Sequence, residues 1–164
     1  MKATRLTRCA LFTSMALIIY VVESLLPPFT TIPGFKLGLA NTVTLAVVYL
    51  MGYREAFLIL ILRIILGNMF TGQMMSLIYS LSGGLLSFVI TVILKRFFPL
   101  NTIWALGIIG ALFHTLGQTV CATILFNSNS FLYYSVFLSV LSFVSGAFTG
   151  FCAQLLVKYL KTHF

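Results

Sequence analysis

Apolar residues fill this chain in blocks of about twenty, broken by short polar or glycine- and proline-containing stretches. Six such blocks are legible as helices. The first runs from Cys9 to Leu26 and stops at Pro27-Pro28. Residues 29–36 hold Pro33-Gly34 and turn the chain. The second block covers Leu37 to Met51, with Gly52 as its stop, and the third covers Arg54 to Phe70, ending at Thr71-Gly72-Gln73. The fourth runs from Met74 to Leu94 and is closed by Lys95-Arg96 and Pro99. The fifth covers Ile103 to Phe126, followed by Asn127-Ser128-Asn129-Ser130. The sixth covers Phe131 to Leu156 and ends near Lys158 and Lys161. Helix-length blocks without strand-like alternation predict an all-α bundle in a bilayer and speak against a β-barrel.

Composition sharpens this picture. The chain is 60% hydrophobic and only 7% charged, with a mean hydropathy of +1.11. A soluble domain carries about a quarter charged residues. The expected architecture is therefore a six-transmembrane-helix bundle, a single domain over residues 1–164 with no room for a separate soluble one. The basic start followed by an apolar block resembles a signal peptide. It lacks a small-x-small cleavage site before Pro27, which favours a retained helix. Cys9, Cys121 and Cys152 are scattered and odd in number, so they suggest neither a disulfide framework nor a metal site.

Charge gives an orientation. With the N-terminus inside, Lys2, Arg5, Arg8, Arg54, Lys95, Arg96, Lys158 and Lys161 fall on the cytoplasmic side, and Lys36 stands alone outside. That asymmetry predicts both termini in the cytoplasm. It also accounts for the basic pI of 9.8 without a nucleic-acid partner.

Several blocks carry small or weakly polar residues at helical spacing. These are Ser76, Ser80, Gly83, Ser87 and Thr91 in the fourth, and Gly107, Gly110, His114, Gly117, Gln118 and Cys121 in the fifth. The sixth has Ser135, Ser139, Ser142, Gly146, Thr149 and Ala153. Lipid gives helices no hydrophobic reward for associating, so small residues that permit close backbone approach drive packing. The other reading of these stripes is a solvated cavity, favoured most where His114 and Gln118 share one face. Ala10 and Ser14, one turn apart on the first helix, read either as ordinary packing residues or as a docking surface for another membrane subunit.

Only two acids occur in the chain, Glu23 and Glu55. Arg63 lies nine residues past Arg54, ~13 Å up a helix and near the bilayer midplane. Such an arginine costs at least ~2.5 kcal/mol unless it faces protein or a cavity. Glu23 lies fifteen residues past Arg8, ~22 Å up. Two accounts stay open. Arg63 and Glu23 form a structural pair, or Arg63 meets an anionic ligand while Glu23 meets Lys36. Glu55 reads as a solvated helix-terminal residue. Asn41, near the outer end of the second helix, is either inter-helix glue or a ligand contact. His114 reads first as a hydrogen-bonded packing residue.

Catalysis fits poorly. Metal-assisted diphosphate chemistry needs clustered carboxylates, and the chain has no aspartate. No glycine-rich turn followed by Lys-Ser or Lys-Thr exists to hold a nucleotide, so active transport would need another subunit's ATP. No catalytic residue, metal ligand or cofactor is expected.

Particular strings point to a family. They are Glu23-Ser-Leu-Leu-Pro27, Pro33-Gly-Phe-Lys-Leu-Gly-Leu-Ala-Asn41 and Arg54-Glu-Ala56. Arg63-Ile-Ile-Leu-Gly67, Ser80-Leu-Ser-Gly-Gly-Leu-Leu-Ser87 and His114-Thr-Leu-Gly-Gln118 continue the series. Across nearly its whole length the chain resembles the Gx transporter family, also labelled heptaprenyl diphosphate synthase component I. That family is similar in size and span count to the substrate-binding S components of energy-coupling factor (ECF) transporters. The resemblance implies a subunit of a bacterial plasma membrane that captures a small vitamin-like or isoprenoid/quinone-related compound from outside. It also implies a coupling subunit and two ATPase subunits as partners, with Ala10 and Ser14 at the docking position. The small-molecule contacts expected on these grounds are Glu23, Lys36, Asn41, Arg63, His114 and Gln118, with Phe29, Phe35, Tyr79 and Tyr133 lining the apolar part. The synthase label conflicts with the missing aspartates. Two rivals remain: a non-catalytic scaffold for an isoprenoid or quinone enzyme, and a stand-alone facilitator.

Overall fold

The computed structural model of the chain describes residues 2–25, 38–72, 74–128 and 130–163. Among them are six helices: α1 (Lys2–Leu25), α2 (Leu39–Leu50), α3 (Tyr53–Thr71), α4 (Met74–Leu94), α5 (Ile103–Phe126) and α6 (Ser130–His163). A short 3-10 turn, Lys95–Phe97, follows α4. The expected all-α architecture is present. Helix α1 starts earlier than the apolar block because Lys2 to Arg8 contain no breaker and several good helix formers. Helix α6 likewise continues past Leu156 to His163, giving 34 residues and a length of ~51 Å.

Helix α2 departs most from the sequence expectation. It has 12 residues, ~18 Å, and cannot cross a hydrocarbon core of about 30 Å. Gly38 sits in the left-handed region at its start (φ 71°), a conformation that a side-chain-bearing residue adopts only with strain. Its other end turns sharply through Met51 and Gly52, whose φ of 112° again suits glycine. Among the described residues, four helical stretches are long and apolar enough to span a membrane: Ala3–Leu25, Ser76–Phe97, Ile103–Phe126 and Ser135–Thr162. The protein is thus a multi-pass membrane protein. Helix α3 has 19 residues but carries Arg54, Glu55 and Arg63.

The helices close a ring. Helix α1 packs on α3, α3 on α4, α4 on α5, α5 on α6, α6 on α2 and α2 on α1. At α5 the backbones touch: a Cβ on Gly117 would lie 2.8 Å from Gly83 Cα, and one on Gly146 would lie 2.9 Å from Ile108 Cα. Glycine is required at both approaches.

One end of the ring gathers the basic residues and is densely packed. Two clusters meet there. Val43, Val47, Val48 and Ile59 pack with Ala16 and Ala56, while Leu45 and Ala46 pack with Ile103, Leu106, Ala153 and Val157. Lys95 Nζ donates to Val48 O at 2.5 Å and lies over the Tyr49 ring, and Tyr49 Oη donates to Phe98 O at 2.8 Å. Arg5 and Glu55 form an ion pair at 2.5 Å, so Glu55 joins α3 to α1 rather than standing free in solvent. Large apolar side chains such as Ile18, Val22, Ile124 and Val140 face outward along the ring, as lipid contact requires.

Candidate functional site

Helix α2 starts inside the ring, and its start creates the site. The first N–H groups of a helix have no partner within it and carry a partial positive charge. Glu23, near the end of α1, supplies the acceptors. Its Oε1 accepts from Gly38 N at 2.6 Å and its Oε2 accepts from Leu39 N at 3.1 Å. The carboxylate is buried, and the left-handed Gly38 turns its N–H towards it.

Less than one turn into α2, Asn41 Oδ1 accepts a hydrogen bond from Arg63 Nη2 at 2.9 Å. Arg63 is 5% exposed, and its Nε has no hydrogen-bond partner. Glu23 and Arg63 are close enough for their charges to interact, and Arg63 is likewise in range of His114. Lys36, which the second account pairs with Glu23, lies outside the described residues. Arg63 is held by Asn41, and Glu23 holds the helix start.

A cavity of about 60 Å³ lies among these groups, with walls from every helix. Tyr20 and Glu23 come from α1, Gly38 and Asn41 from α2, Arg63 and Ile64 from α3, and Ser80 from α4. Ala111, His114, Thr115 and Gln118 come from α5, and Leu138, Ser142 and Ser145 from α6. A lower cavity of about 50 Å³ runs from there towards the basic end and shares Gly38, Asn41 and Ala111 with the upper one. Free space of this size holds a few small molecules such as water; drug-sized ligands take about 300 Å³ or more.

Three residues of these walls carry a buried polar atom without a partner. Among the described residues, the buried side-chain polar atoms without a partner are Arg63 Nε, His114 Nδ1 and Thr44 Oγ1. The first two residues line the upper cavity and the third lines the lower. Two other wall hydroxyls do have partners. Thr115 and Ser142 share a short hydroxyl contact, and Ser142 Oγ also donates to Leu138 O at 2.8 Å.

The structure brings Glu23, Asn41, Arg63, His114 and Gln118 to one cavity. Lys36, Phe29 and Phe35 lie outside the described residues. Tyr133 does not line the cavity: it is 83% exposed, because it sits nine residues, ~13 Å, above Ser142 on α6. Tyr79 is also absent from the walls, since Ser80 beside it takes the inward position. Ala10 and Ser14 are exposed on α1.

Sequence reasoning missed Tyr20 and Asn68. Tyr20 Oη donates to Asn68 Oδ1 at 3.1 Å, and Asn68 Nδ2 donates to Ile64 O at 2.7 Å. Asn68 is fully buried, and Gly67 makes room beside it: a Cβ there would lie 2.6 Å from the Tyr20 ring. A tyrosine and an asparagine inside apolar helices were the available signals. The small-residue stripes pack helices together and also line the two cavities. Their glycines set backbone contact, while Ser80 and Ser142 line the upper cavity and Ser87, Thr91 and Thr149 line the lower.

The model of the heptaprenyl diphosphate synthase component I family matches residues 12–156. The chain belongs to that family. The matched stretch contains every wall residue of both cavities, whereas Ala10 precedes it. No curated protein and no solved structure matches the chain. The family's name speaks of a synthase and of a component. Among the described residues, no three or more of His, Cys, Asp and Glu gather as a metal-binding group.

Proposed function

We propose that this component I protein is a substrate-capture subunit in the membrane, holding a small anionic compound in the upper cavity. One observation carries the reading. The buried unpartnered polar atoms of the described residues belong to residues that line two adjoining cavities, Arg63 Nε and His114 Nδ1 at the upper and Thr44 Oγ1 at the lower. A buried polar group without a partner costs about 1–3 kcal/mol, so cavity-lining residues that carry such groups suit a ligand that satisfies them. Arg63 would meet the anionic group through its Nε edge while Asn41 holds its other edge. Gln118 and His114 would add directional hydrogen bonds, and Glu23 and Lys36 would fix the charge balance at the mouth.

In this reading the subunit does no chemistry of its own. Diphosphate chemistry needs metal-holding carboxylates, and Glu55, the acid other than Glu23, is engaged with Arg5 at the basic end. Both termini face the cytoplasm, the cavity mouth faces outward, and the sequence has no nucleotide-binding loop. Inward release therefore falls to partners, an ECF-type coupling subunit with two ATPases. A second reading is favoured by the family name: a non-catalytic membrane partner of a prenyl diphosphate synthase.

Native mass spectrometry of the gently extracted complex separates the two. Capture predicts a bound small anion, lost in Arg63→Gln, together with a membrane subunit and ATPases. Co-extraction with a soluble prenyl synthase, without ATPases and with no Arg63-dependent ligand, would replace capture by the scaffold.

A further inference from the structure

The lower cavity is the part of the molecule that the upper site leaves unexplained. Hydroxyls in membrane helices normally bond back to a carbonyl of the preceding turn. Thr13, Thr119 and Thr123 do this here, donating to Cys9 O, Thr115 O and Thr119 O at 2.8 Å each. Thr44 does not. Its hydroxyl is buried, the residue is 7% exposed, and among the described residues it has no partner although Ala40 O lies one turn away on the same helix. It lines the lower cavity, three residues and ~4.5 Å along α2 from Asn41. Asn41 belongs to both cavities and ends in the hydrogen bond to Arg63. The Arg63–Asn41 contact therefore stands between the upper cavity and a narrow lower space, one of whose lining residues carries a free hydroxyl.

Gly110 keeps that lower space narrow but open. A Cβ there would lie 3.2 Å from Thr91 Oγ1 and 3.3 Å from Ser87 Oγ. The rest of the wall mixes apolar side chains, Leu45, Val48 and Phe88 among them, with hydroxyls. At about 50 Å³ the space suits the end of a slim chain rather than a ring system.

We propose that the two cavities are two compartments of one site, and that Thr44 Oγ1 receives the far end of the ligand. This rests on the capture reading and narrows it. The ligand is then a slim, short-chain anion. Its carboxylate or phosphate sits at Arg63, its apolar stem passes Asn41, and its terminal hydrogen-bonding group lies at Thr44.

The test uses purified full-length protein and defined probes: acetate, butyrate, hexanoate and inorganic phosphate, with the ω-hydroxy derivatives of the two longer acids. Affinity is read by thermal stabilisation and isothermal titration. The proposal expects butyrate to bind more tightly than acetate, and ω-hydroxybutyrate to bind about fivefold to tenfold more tightly than butyrate, the ratio expected for one hydrogen bond. In Thr44→Val, of nearly the same shape, that hydroxyl preference should fall to about one, while acetate binding stays unchanged. Thr44→Ser should retain it, which separates loss of the hydroxyl from loss of fold. If acetate or phosphate binds through Arg63 but chain length and the ω-hydroxyl add nothing, the two-compartment site is overturned and the anion site stands. If none of the anions binds, in wild type or variants, both fall.

Discussion

Helix α2 ends twice in the same way and to opposite effect. At its C-terminus, Lys95 meets the free Val48 carbonyl; at its N-terminus, Glu23 meets the free N–H groups of Gly38 and Leu39. Each charge has the sign that the helix dipole favours. At the lysine end apolar packing dominates, although Val48 also lines the lower cavity. Tyr49 bonds Phe98, and apolar residues of α1, α3, α5 and α6 surround the helix. At the glutamate end the surroundings are hollow. Within one turn lie Asn41 and its bonded Arg63, whose Nε has no partner. The same electrostatic device anchors a structural joint at one end and supports a polar cavity at the other.

Substitution at the two ends should separate them. Glu23→Gln has the larger expected effect. It removes the charge from two hydrogen bonds at a buried position and should lower stability by about 2 kcal/mol, read as a drop in thermal unfolding temperature in detergent. Lys95→Met removes one charge-assisted bond at a half-buried position and should cost about 1 kcal/mol or less, with affinity for acetate or phosphate unaffected. A larger loss in Lys95→Met than in Glu23→Gln would invert the comparison. So would altered anion affinity in Lys95→Met.

The smallest effect on stability should come from the outer face of α1. Ala10 and Ser14 are exposed there, so Ala10→Leu with Ser14→Leu should shift stability by no more than about 0.5 kcal/mol. If a coupling subunit docks on this face, as proposed, the same double variant should abolish co-purification with it. An intact complex would remove this face from the docking role without touching the contrast between the ends of α2.

Much of this was legible in the chain. The six helical blocks, the gathering of basic residues and the singling out of Glu23, Asn41, Arg63, His114 and Gln118 all came from reading rare polar residues against an apolar background. That works because a polar side chain inside an apolar helix needs an interior place, so its rarity marks the interior. The aromatic residues carried no such mark. Tyr133, exposed on α6, and Tyr20, on the cavity wall, are alike as letters in an apolar run.

The sequence by itself determined that the chain is helical, built for a bilayer and biased in charge from one end to the other, because hydropathy and charge act through composition over whole segments. Tertiary structure alone decided which partner each interior polar atom has. The sequence left Glu23 open to either Arg63 or Lys36; in the structure Glu23 accepts from the start of α2 and Arg63 donates to Asn41. That choice depends on where α2 begins in depth, which follows from the left-handed turn at Gly38 and the packing of α2 within the ring. Helical spacing reports the face of a residue on its own helix. It carries no information about the height at which another helix begins, and that height fixes both the cavity and the groups left free to line it.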